Sequence, residues 1–320
     1  MKTTFMKPLL QFFKLIRWPN LLFIALTQYL FFYAVAIPVF ASSIFITRET
    51  TLLFYILSFS SVLIAAAGYI INDYFDLNID TVNKPDRLVV DHGVSRRWAM
   101  FFHFIFSLAG ILMGFYIGLE NGNWFIGLAH TSVAILLWIY STSLKQRAIV
   151  GNVVISILTA WALLVVYFFL VFNEQYIQQA SAFSSAIQKL FRIAVLYAAF
   201  AFLITYIREM VKDMEDLEGD RRYGCRTMPI IWGIQVTKLV TSIFMVFLLA
   251  LMLLAFIYIL QLNMWVPALY HILFIIVPTG YTFILLQRSN TTADFAKLSR
   301  WIKIIIFFGI LSMLFFKIFA

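Results

Sequence analysis

Two short stretches of this chain repeat one spacing of acidic residues. The first runs from Asn72 to Asp80 and the second from Lys212 to Asp220, and both contain D-x-x-D-x-x-x-D. The chain has only 15 Asp and Glu among 320 residues, and more than half of them lie in these stretches. Carboxylates are preferred ligands of hard divalent cations such as Mg²⁺. The matched clusters therefore indicate cations that hold a phosphate-bearing substrate.

The spacing predicts that the carboxylates of each stretch share one face of a helix. Successive helical residues rotate by about 100°, so the three Asp residues of each stretch lie within about 60° of one another. Asn72 stays on the edge of the first face, and Glu209 joins the second one turn earlier. Stacked carboxylates repel one another unless cations bind between them. The predicted Mg²⁺ ligands are Asp73, Asp76, Asp80, Asp213, Asp216 and Asp220.

Basic residues lie in the loops next to these stretches. Lys84 and Arg87 follow the first stretch, Arg226 follows the second, and Lys145 closes the segment that begins at Tyr140. Lys and Arg neutralise phosphate oxygens that metal ions leave uncovered. Metal ions and cationic side chains together make a diphosphate a better leaving group. An allylic diphosphate would then ionise toward a carbocation, which aromatic faces can stabilise.

The composition predicts an integral membrane protein of the all-α class. The chain is 63% hydrophobic and only 12% charged, with a mean hydropathy of +0.92, whereas soluble domains are about a quarter charged. Runs of roughly 17–25 apolar residues are long enough to cross a bilayer as helices. Nine such runs are predicted, near 21–41, 52–72, 99–119, 124–142, 152–172, 190–207, 235–260, 266–287 and 301–319.

The distribution of basic residues predicts the orientation of these helices. With the N-terminus in the cytoplasm, most of the 24 Lys and Arg residues flank the cytoplasmic ends of the runs. The positive-inside rule then places the C-terminus outside and both acidic stretches on the cytoplasmic side. In a bacterium the membrane would be the inner membrane. The net charge of +9 follows from this topology, and we predict no binding to nucleic acid.

The remaining features of the sequence favour one domain without thiol or imidazole chemistry. No Pro-, Gly- or Ser-rich linker divides the chain, so residues 1–320 are predicted to form one domain with a weak internal repeat. The single Cys225 excludes an intrachain disulfide. The His residues form no ligand cluster in sequence. We expect His103, His130 and His271 to be hydrogen-bonded in the interior of the helix bundle.

With these motifs in view, the chain resembles the UbiA-type intramembrane prenyltransferases over most of its length. The resemblance is carried by the first acidic stretch, by the Tyr140–Lys145 segment, and by Asp216-x-x-x-Asp220 with the Gly and Arg-Thr that follow. It implies a helical bundle around a central cavity that opens to lipid. It also implies Mg²⁺-dependent transfer of a polyprenyl group from its diphosphate to an acceptor.

The resemblance also assigns roles to individual residues of this chain. Tyr140 and Lys145 would lie near the diphosphate, and Arg17 and Asn20 would lie near the acceptor. Within the family, the segment Arg208–Asp220 most resembles the branch of geranylgeranylglycerol-phosphate geranylgeranyltransferases. The residues that would hold Mg²⁺ and diphosphate are Asn72, Asp76, Asp80, Asp216 and Asp220.

Three other functions compete with lipid prenylation. Prenylation of an aromatic acceptor, of the 4-hydroxybenzoate or dihydroxynaphthoate type, keeps the mechanism and changes the acceptor. An ion-coupled transporter also uses membrane carboxylates, but its site usually lies at mid-membrane rather than at one face. A CDP-alcohol phosphotransferase has repeated Asp residues too, but with an intervening Gly and Ala-Arg that this chain lacks. Magnesium-dependent diphosphate release is predicted only by a prenyltransferase.

Overall fold

The computed structural model describes residues 10–40, 47–85, 88–91, 93–173 and 184–319. Within these ranges the secondary structure is helical apart from two isolated β-bridges. The described ranges contain nine helices long and apolar enough to cross a membrane, which confirms the predicted number. They are α1 (Trp18–Val39), α2 (Arg48–Asn83), α3 (Arg96–Glu120), α4 (Phe125–Thr142), α5 (Val150–Val171), α6 (Ser184–Glu215), α7 (Gly233–Gln261), α8 (Trp265–Arg288) and α9 (Thr292–Ile318).

The chain is a multi-pass integral membrane protein, and its outward surface has the apolar character that lipid requires. On α7, for example, Leu239 and Leu254 are each 62% exposed. Exposing such side chains to water would be unfavourable, whereas contact with the apolar lipid tails of a bilayer is favourable. The two longest helices are α2, with 36 residues, and α6, with 32. Both extend past the apolar run into the acidic stretch at their C-terminal ends.

Proline explains the irregular turns in two of the helices. In α1 a π-helical segment covers Phe31–Ala36, just before Pro38. In α8 a π-helical segment covers Ile272–Ile276, just before Pro278. Proline lacks the backbone N–H that would bond one turn back, and its ring crowds the carbonyl there. The widened turn accommodates both defects without ending the helix.

The model divides into two compact units, and the first consists of the described residues of Met1–Leu144 and Trp161–Val195. Its helix α2 packs closely on α4, since a Cβ added at Gly68 would lie 2.9 Å from Leu137 Cδ1. Small residues allow membrane helices to approach one another in this way. The buried cluster near the acidic stretch is formed by Leu15, Ile16, Leu21, Ala66, Ile70, Leu77, Val89, Val90 and Ala99.

Histidine side chains in the interior are hydrogen-bonded, as predicted. His103 Nδ1 lies 3.0 Å from the Ala67 carbonyl, and His130 Nε2 lies 2.8 Å from the Ser60 hydroxyl. In the second unit, His271 Nε2 lies 3.1 Å from the carbonyl oxygen of Met252. These contacts satisfy polar atoms that would otherwise be costly to bury.

The second unit consists of the described residues of Lys145–Ala160 and Leu196–Ala320. It contains α7, α8, α9 and the C-terminal part of α6, followed by the short helices Leu217–Arg222 and Met228–Ile231. An extensive buried cluster joins these helices; its largest fully buried side chain is Phe295. The turn between α8 and α9 is held by a capping box between Thr291 and Asp294.

Lys238 is a buried lysine that stabilises the end of α8. The side chain is 7% exposed, and its Nζ donates to the carbonyls of Gln287 at 3.0 Å and Ser289 at 2.9 Å. The last carbonyls of a helix have no partner within the helix, and a cation there also interacts favourably with the helix dipole. Lys238 therefore caps α8 from the neighbouring helix α7.

We expect Lys238→Met to lower the stability of the second unit by about 2 kcal/mol, because hydrogen bonds from a charged group are lost and two carbonyls stay buried. The measurement is the apparent Tm in detergent at a fixed scan rate, with an expected fall of several degrees. Lys297→Met, which alters an exposed lysine on α9, is the control and should leave the Tm unchanged. Equal Tm values for the two variants would contradict the capping role.

Candidate active site

The first acidic stretch lies on the last turns of one continuous helix, as the spacing predicted. Thr47 caps the N-terminus of α2, and the helix continues without a break to Asn83. Asn72 Nδ2 donates to Asp76 Oδ2 at 2.6 Å, one helical turn away. The side chains of Asn72, Asp76 and Asp80 are half-buried. The stretch thus presents an amide and carboxylates on one face, just beyond the apolar part of the helix.

Asp73 forms an ion pair that the sequence did not predict. Arg17 Nη2 lies 2.5 Å from Asp73 Oδ1, and the guanidinium lies over the ring of Tyr69, 5.4 Å from its centroid. Arg17 has the left-handed backbone conformation, with φ 50° and ψ 50°, which is unusual for a residue other than Gly or Asn. Burial by itself would lower the pKa of Arg17, but the charges of Asp73, Tyr69 and Asp76 and the hydrogen bond to Asp73 together raise it above its ordinary value.

The pairing yields a test of the two roles open to Asp73. If Asp73 acts through Arg17, Arg17→Ala and Asp73→Ala should lower kcat/KM equally, and the double variant should be no worse than either. The expected coupling is about 0.5–3 kcal/mol. Additive losses would show that Arg17 and Asp73 act independently. A higher Mg²⁺ requirement in Asp73→Ala alone would show the metal role that the spacing predicts. The exposed pair of Arg96 and Asp91 is the control and should couple by less than about 1 kcal/mol.

The other predicted residues of the first unit lie near the same end of α2 or in segments that begin or end helices. Lys84 ends α2, and its N–H donates to the Asp80 carbonyl at 2.8 Å. Asn20 lies in the first turn of α1, where its N–H donates to the Arg17 carbonyl at 2.8 Å. Tyr140 lies in the last turn of α4. Arg87 lies outside the described residues.

The second acidic stretch differs from the first in its backbone. Helix α6 ends at Glu215, and a short helix begins at Leu217, so Asp216 lies at the junction with φ −94° and ψ 10°. A ψ of 10° turns the next peptide away from the helical value near −42°. The hydrogen bonds from Asp216 N–H to Lys212 and from Asp220 N–H to Asp216 nevertheless remain. The prediction of one uninterrupted helix is therefore wrong for this stretch, although i→i−4 bonding continues through the bend.

Lys145 and Arg226 belong to two segments that are hydrogen-bonded to each other. Lys145 lies in the 3₁₀ turn Leu144–Gln146. The N–H of Arg226 donates to the Gln146 carbonyl at 2.7 Å, and Arg147 forms an isolated bridge with Arg226. The second unit therefore brings the two predicted phosphate-binding cations, which are about 80 residues apart in sequence, onto adjoining backbone segments.

Sequence reasoning missed one polar residue of this unit. Asn152, in the first turn of α5, is 6% exposed, and its Nδ2 donates to Asp213 Oδ2 at 2.8 Å. The only signal in the sequence was a polar residue in the Gly-Asn pair shortly after Lys145, at the start of an otherwise apolar run.

The donors present suit Mg²⁺ that is bound together with a substrate. Among the described residues, no three His, Cys, Asp or Glu side chains are grouped so that they could enclose a metal ion. Mg²⁺ usually keeps several waters and binds through one or two carboxylates plus substrate phosphate oxygens. The Asn72–Asp76 pair at 2.6 Å offers carboxylate and amide oxygens of this kind. The donor set of the first acidic stretch thus fits a metal–diphosphate complex rather than a metal site made of protein alone.

The fold and these residues define the class: a multi-pass helical membrane protein with two acidic motifs. The chain belongs to the UbiA prenyltransferase family, whose model matches residues 25–308. The resemblance predicted from the motifs is confirmed.

Individual relatives agree with this family. The chain is 36% identical to the digeranylgeranylglyceryl phosphate synthase of Methanothermobacter thermautotrophicus over 179 residues, or 56% of each protein. The chain spans about half the length of the curated relatives it matches. A solved structure of a digeranylgeranylglyceryl phosphate synthase superposes with a TM-score of 0.63 at 23% identity, covering 98% of this chain and 99% of that one. A UbiA homolog from Archaeoglobus fulgidus bound to GPP and Mg²⁺ gives a TM-score of 0.54 at 16% identity, with 95% and 99% covered.

Proposed function

We propose that this protein transfers a geranylgeranyl group from geranylgeranyl diphosphate to geranylgeranylglyceryl phosphate in a Mg²⁺-dependent reaction. Relatives named digeranylgeranylglyceryl phosphate synthase support the choice of product. A glyceryl phosphate that carries two geranylgeranyl groups is formed when one that carries a single group accepts another. Membership of the UbiA prenyltransferase family supports the reaction class.

One observation carries the proposal: a face of Asn72, Asp76 and Asp80 at the end of the continuous membrane helix α2. A prenyl diphosphate has a charged head group and a hydrocarbon tail. Its binding site therefore needs polar ligands at the membrane edge and an apolar region beside them. Helix α2 offers both, since its acidic stretch directly follows an apolar run long enough to cross the membrane. The helix therefore suits the boundary between diphosphate and prenyl tail.

The reaction requires that the bond between C1 of the prenyl group and the diphosphate oxygen break. The electron pair stays on the oxygen, and the diphosphate leaves with its negative charge. Bound Mg²⁺ supplies neutralisation of that charge. The free hydroxyl of the glycerol attacks C1 of the allylic cation to form the ether, and its proton passes to solvent or diphosphate.

The protein's own groups favour this step electrostatically. We assign Asn72, Asp76 and Asp80 to orienting the metal-bound diphosphate, with Asp216 and Asp220 in the same role from the second motif. Lys84, Arg87, Lys145, Arg226 and Tyr140 are assigned to the phosphate oxygens. Fixed cations near a departing anion stabilise charge as it develops and need no reorganisation. Arg17 and Asn20 are assigned to the acceptor, whose phosphate is also anionic.

The test is product mass spectrometry on purified protein in liposomes. The protein receives geranylgeranyl diphosphate, Mg²⁺, and a mixture of geranylgeranylglyceryl phosphate with 4-hydroxybenzoate and dihydroxynaphthoate; a parallel sample contains EDTA. The expected product is digeranylgeranylglyceryl phosphate, formed only without EDTA. A prenylated aromatic product would show that the acceptor is an aromatic compound and not geranylgeranylglyceryl phosphate. No product and no released diphosphate with any prenyl length would overturn the proposal and favour a transporter.

We also propose that the N-terminus is cytoplasmic and the C-terminus external, on the basis of the basic residues that flank the helices. Cys225 is the only cysteine, so Cys225→Ser gives a cysteine-free background. In that background Ser95→Cys should react with a membrane-impermeant maleimide only after the cells are opened. Glu120→Cys should react in intact cells, since it ends α3 on the other side of the membrane. The reverse pattern would invert the topology.

A further inference from the structure

Asn152 makes one side-chain contact that the proposed reaction has not used. It lies in the first turn of α5, is 6% exposed, and donates from Nδ2 to Asp213 Oδ2 at 2.8 Å. Asp213 belongs to the second acidic motif, three residues before Asp216. A buried amide that contacts a carboxylate of the motif can act on that carboxylate's orientation.

The backbone around Asn152 fixes where its side chain can reach. Ile149, just before α5, has φ +66°, a strained conformation for a β-branched residue. Such strain persists where the surrounding structure holds the segment firmly. Here the hydrogen bond from Arg226 N–H to the Gln146 carbonyl, at 2.7 Å, ties the same segment to the loop after the motif. The start of α5 is therefore anchored before Asn152 contacts α6.

The far end of the motif is joined to the same anchor. The N–H of Cys225 donates to the carbonyl of Asp220 at 2.9 Å, and the next residue, Arg226, is bonded to Gln146. Thus the segment from Gln146 to Asn152 connects to both ends of the motif: through Asn152 to Asp213, and through Arg226 and Cys225 to Asp220. A motif that bends at Asp216 needs such outside support, because its two parts lie on separate helical segments.

The contact joins the neutral amide of Asn152 to the carboxyl group of Asp213. The basic residues Arg208 and Lys212 of α6 both pair with Glu209, at 3.0 Å and 3.2 Å. The amide of Asn152 is neutral, so it orients Asp213 without cancelling its charge. In the first motif Asp73 has the opposite arrangement, since its partner is the guanidinium of Arg17.

We propose that Asn152 is a positioning residue that orients the Asp213 carboxylate for Mg²⁺ and diphosphate in the second motif. The inference rests on the proposed function for the ligand, and on the contacts above for the residue. Groups that orient metal-binding side chains typically change metal affinity by 10–100-fold when removed. We therefore expect Asn152→Ala to raise the Mg²⁺ concentration needed for half-saturation about tenfold.

The experiment measures Mg²⁺ binding without turnover. Purified wild type and variants are titrated with Mg²⁺ in the presence of inorganic diphosphate, and the half-saturating Mg²⁺ concentration is read from the rise in apparent Tm. The same constant is then measured by product formation. Asn173→Ala is the matched control: Asn173 follows α5 at its other end, is 8% exposed, and donates to Asn121 Oδ1 at 3.1 Å. It should lower the Tm and leave the Mg²⁺ constant unchanged.

The exchange variant Asn152→Asp/Asp213→Asn separates positioning from simple packing. It preserves an amide–carboxylate hydrogen bond but moves the charge from α6 to α5. We expect the Tm of this double variant without Mg²⁺ to be close to that of wild type. Its half-saturating Mg²⁺ concentration should stay as high as that of Asn152→Ala. The proposal would be overturned if the double variant matched wild type in both Tm and half-saturating Mg²⁺ concentration. It would also be overturned if the half-saturating Mg²⁺ concentration of Asn152→Ala lay within twofold of wild type. Failure of the proposed function looks different: wild type itself would then show neither a Mg²⁺-dependent Tm rise nor a product.

Discussion

Asp76→Ala should reduce product formation at least about a hundredfold and leave the protein folded. Asp76 lies on the last turns of α2 and accepts a hydrogen bond from Asn72 at 2.6 Å. Its carboxylate is half-buried, so its removal creates no large cavity in the helix bundle. The loss expected on removing one preorganised group that stabilises transition-state charge is about 10²–10³ in kcat. The measurement is the initial rate of diphosphate release and of product formation at saturating prenyl donor.

The matched control for Asp76 is two residues away on the same helix. Asn78 is exposed, and its backbone carbonyl accepts a hydrogen bond from the Thr81 hydroxyl at 2.6 Å. Asn78→Ala should therefore keep the wild-type rate, and both variants should match wild type in apparent Tm. Activity of Asp76→Ala within tenfold of wild type would remove Asp76 from the site.

Asp216→Ala should have an effect of the same size through the second motif. Asp216 lies at the bend between α6 and the helix Leu217–Arg222, and its backbone carbonyl accepts from Asp220 N–H at 3.2 Å. Alanine can keep these backbone bonds, whereas the carboxylate is lost. We expect a rate at least about a hundredfold lower and a half-saturating Mg²⁺ concentration that is clearly raised.

Glu218 is the control for the second motif because it lies two residues further on and its side chain is exposed. Glu218→Ala should leave both the rate and the Mg²⁺ requirement within twofold of wild type. If Glu218→Ala and Asp216→Ala lose activity equally, general negative charge rather than the motif would be responsible. If neither loses activity, the second stretch would have no part in the reaction.

Composition and hydropathy determined the class and the number of membrane helices. Apolar runs in a lipid solvent must form helices, since backbone groups have no other partners there. That constraint is local and strong, so each predicted run corresponds to one helix in the described ranges. The length of α2 beyond its apolar run also followed from the sequence, because the acidic stretch keeps helical spacing up to Asp80.

The bend at Asp216 was not predictable in the same way. The two motifs share D-x-x-D-x-x-x-D, yet one lies on a continuous helix and the other is interrupted. No Pro marks the interruption, and Gly219 lies beyond it, so neither residue type signals its position. The segment that follows the bend is bonded through Arg226 N–H to the Gln146 carbonyl, a tertiary contact that the spacing of the motif does not predict.

The sequence by itself determined which residues are chemically able to bind Mg²⁺ and diphosphate: carboxylates at repeated spacing, with Lys and Arg in the next loops. Only the tertiary structure decided their partners. Arg17 meets Asp73 across 56 residues, and Asn152 meets Asp213 across 61. Helical periodicity relates residues three or four apart and is silent about such distances. One motif thereby gains a cationic partner and the other a neutral one, although their sequences share the same pattern.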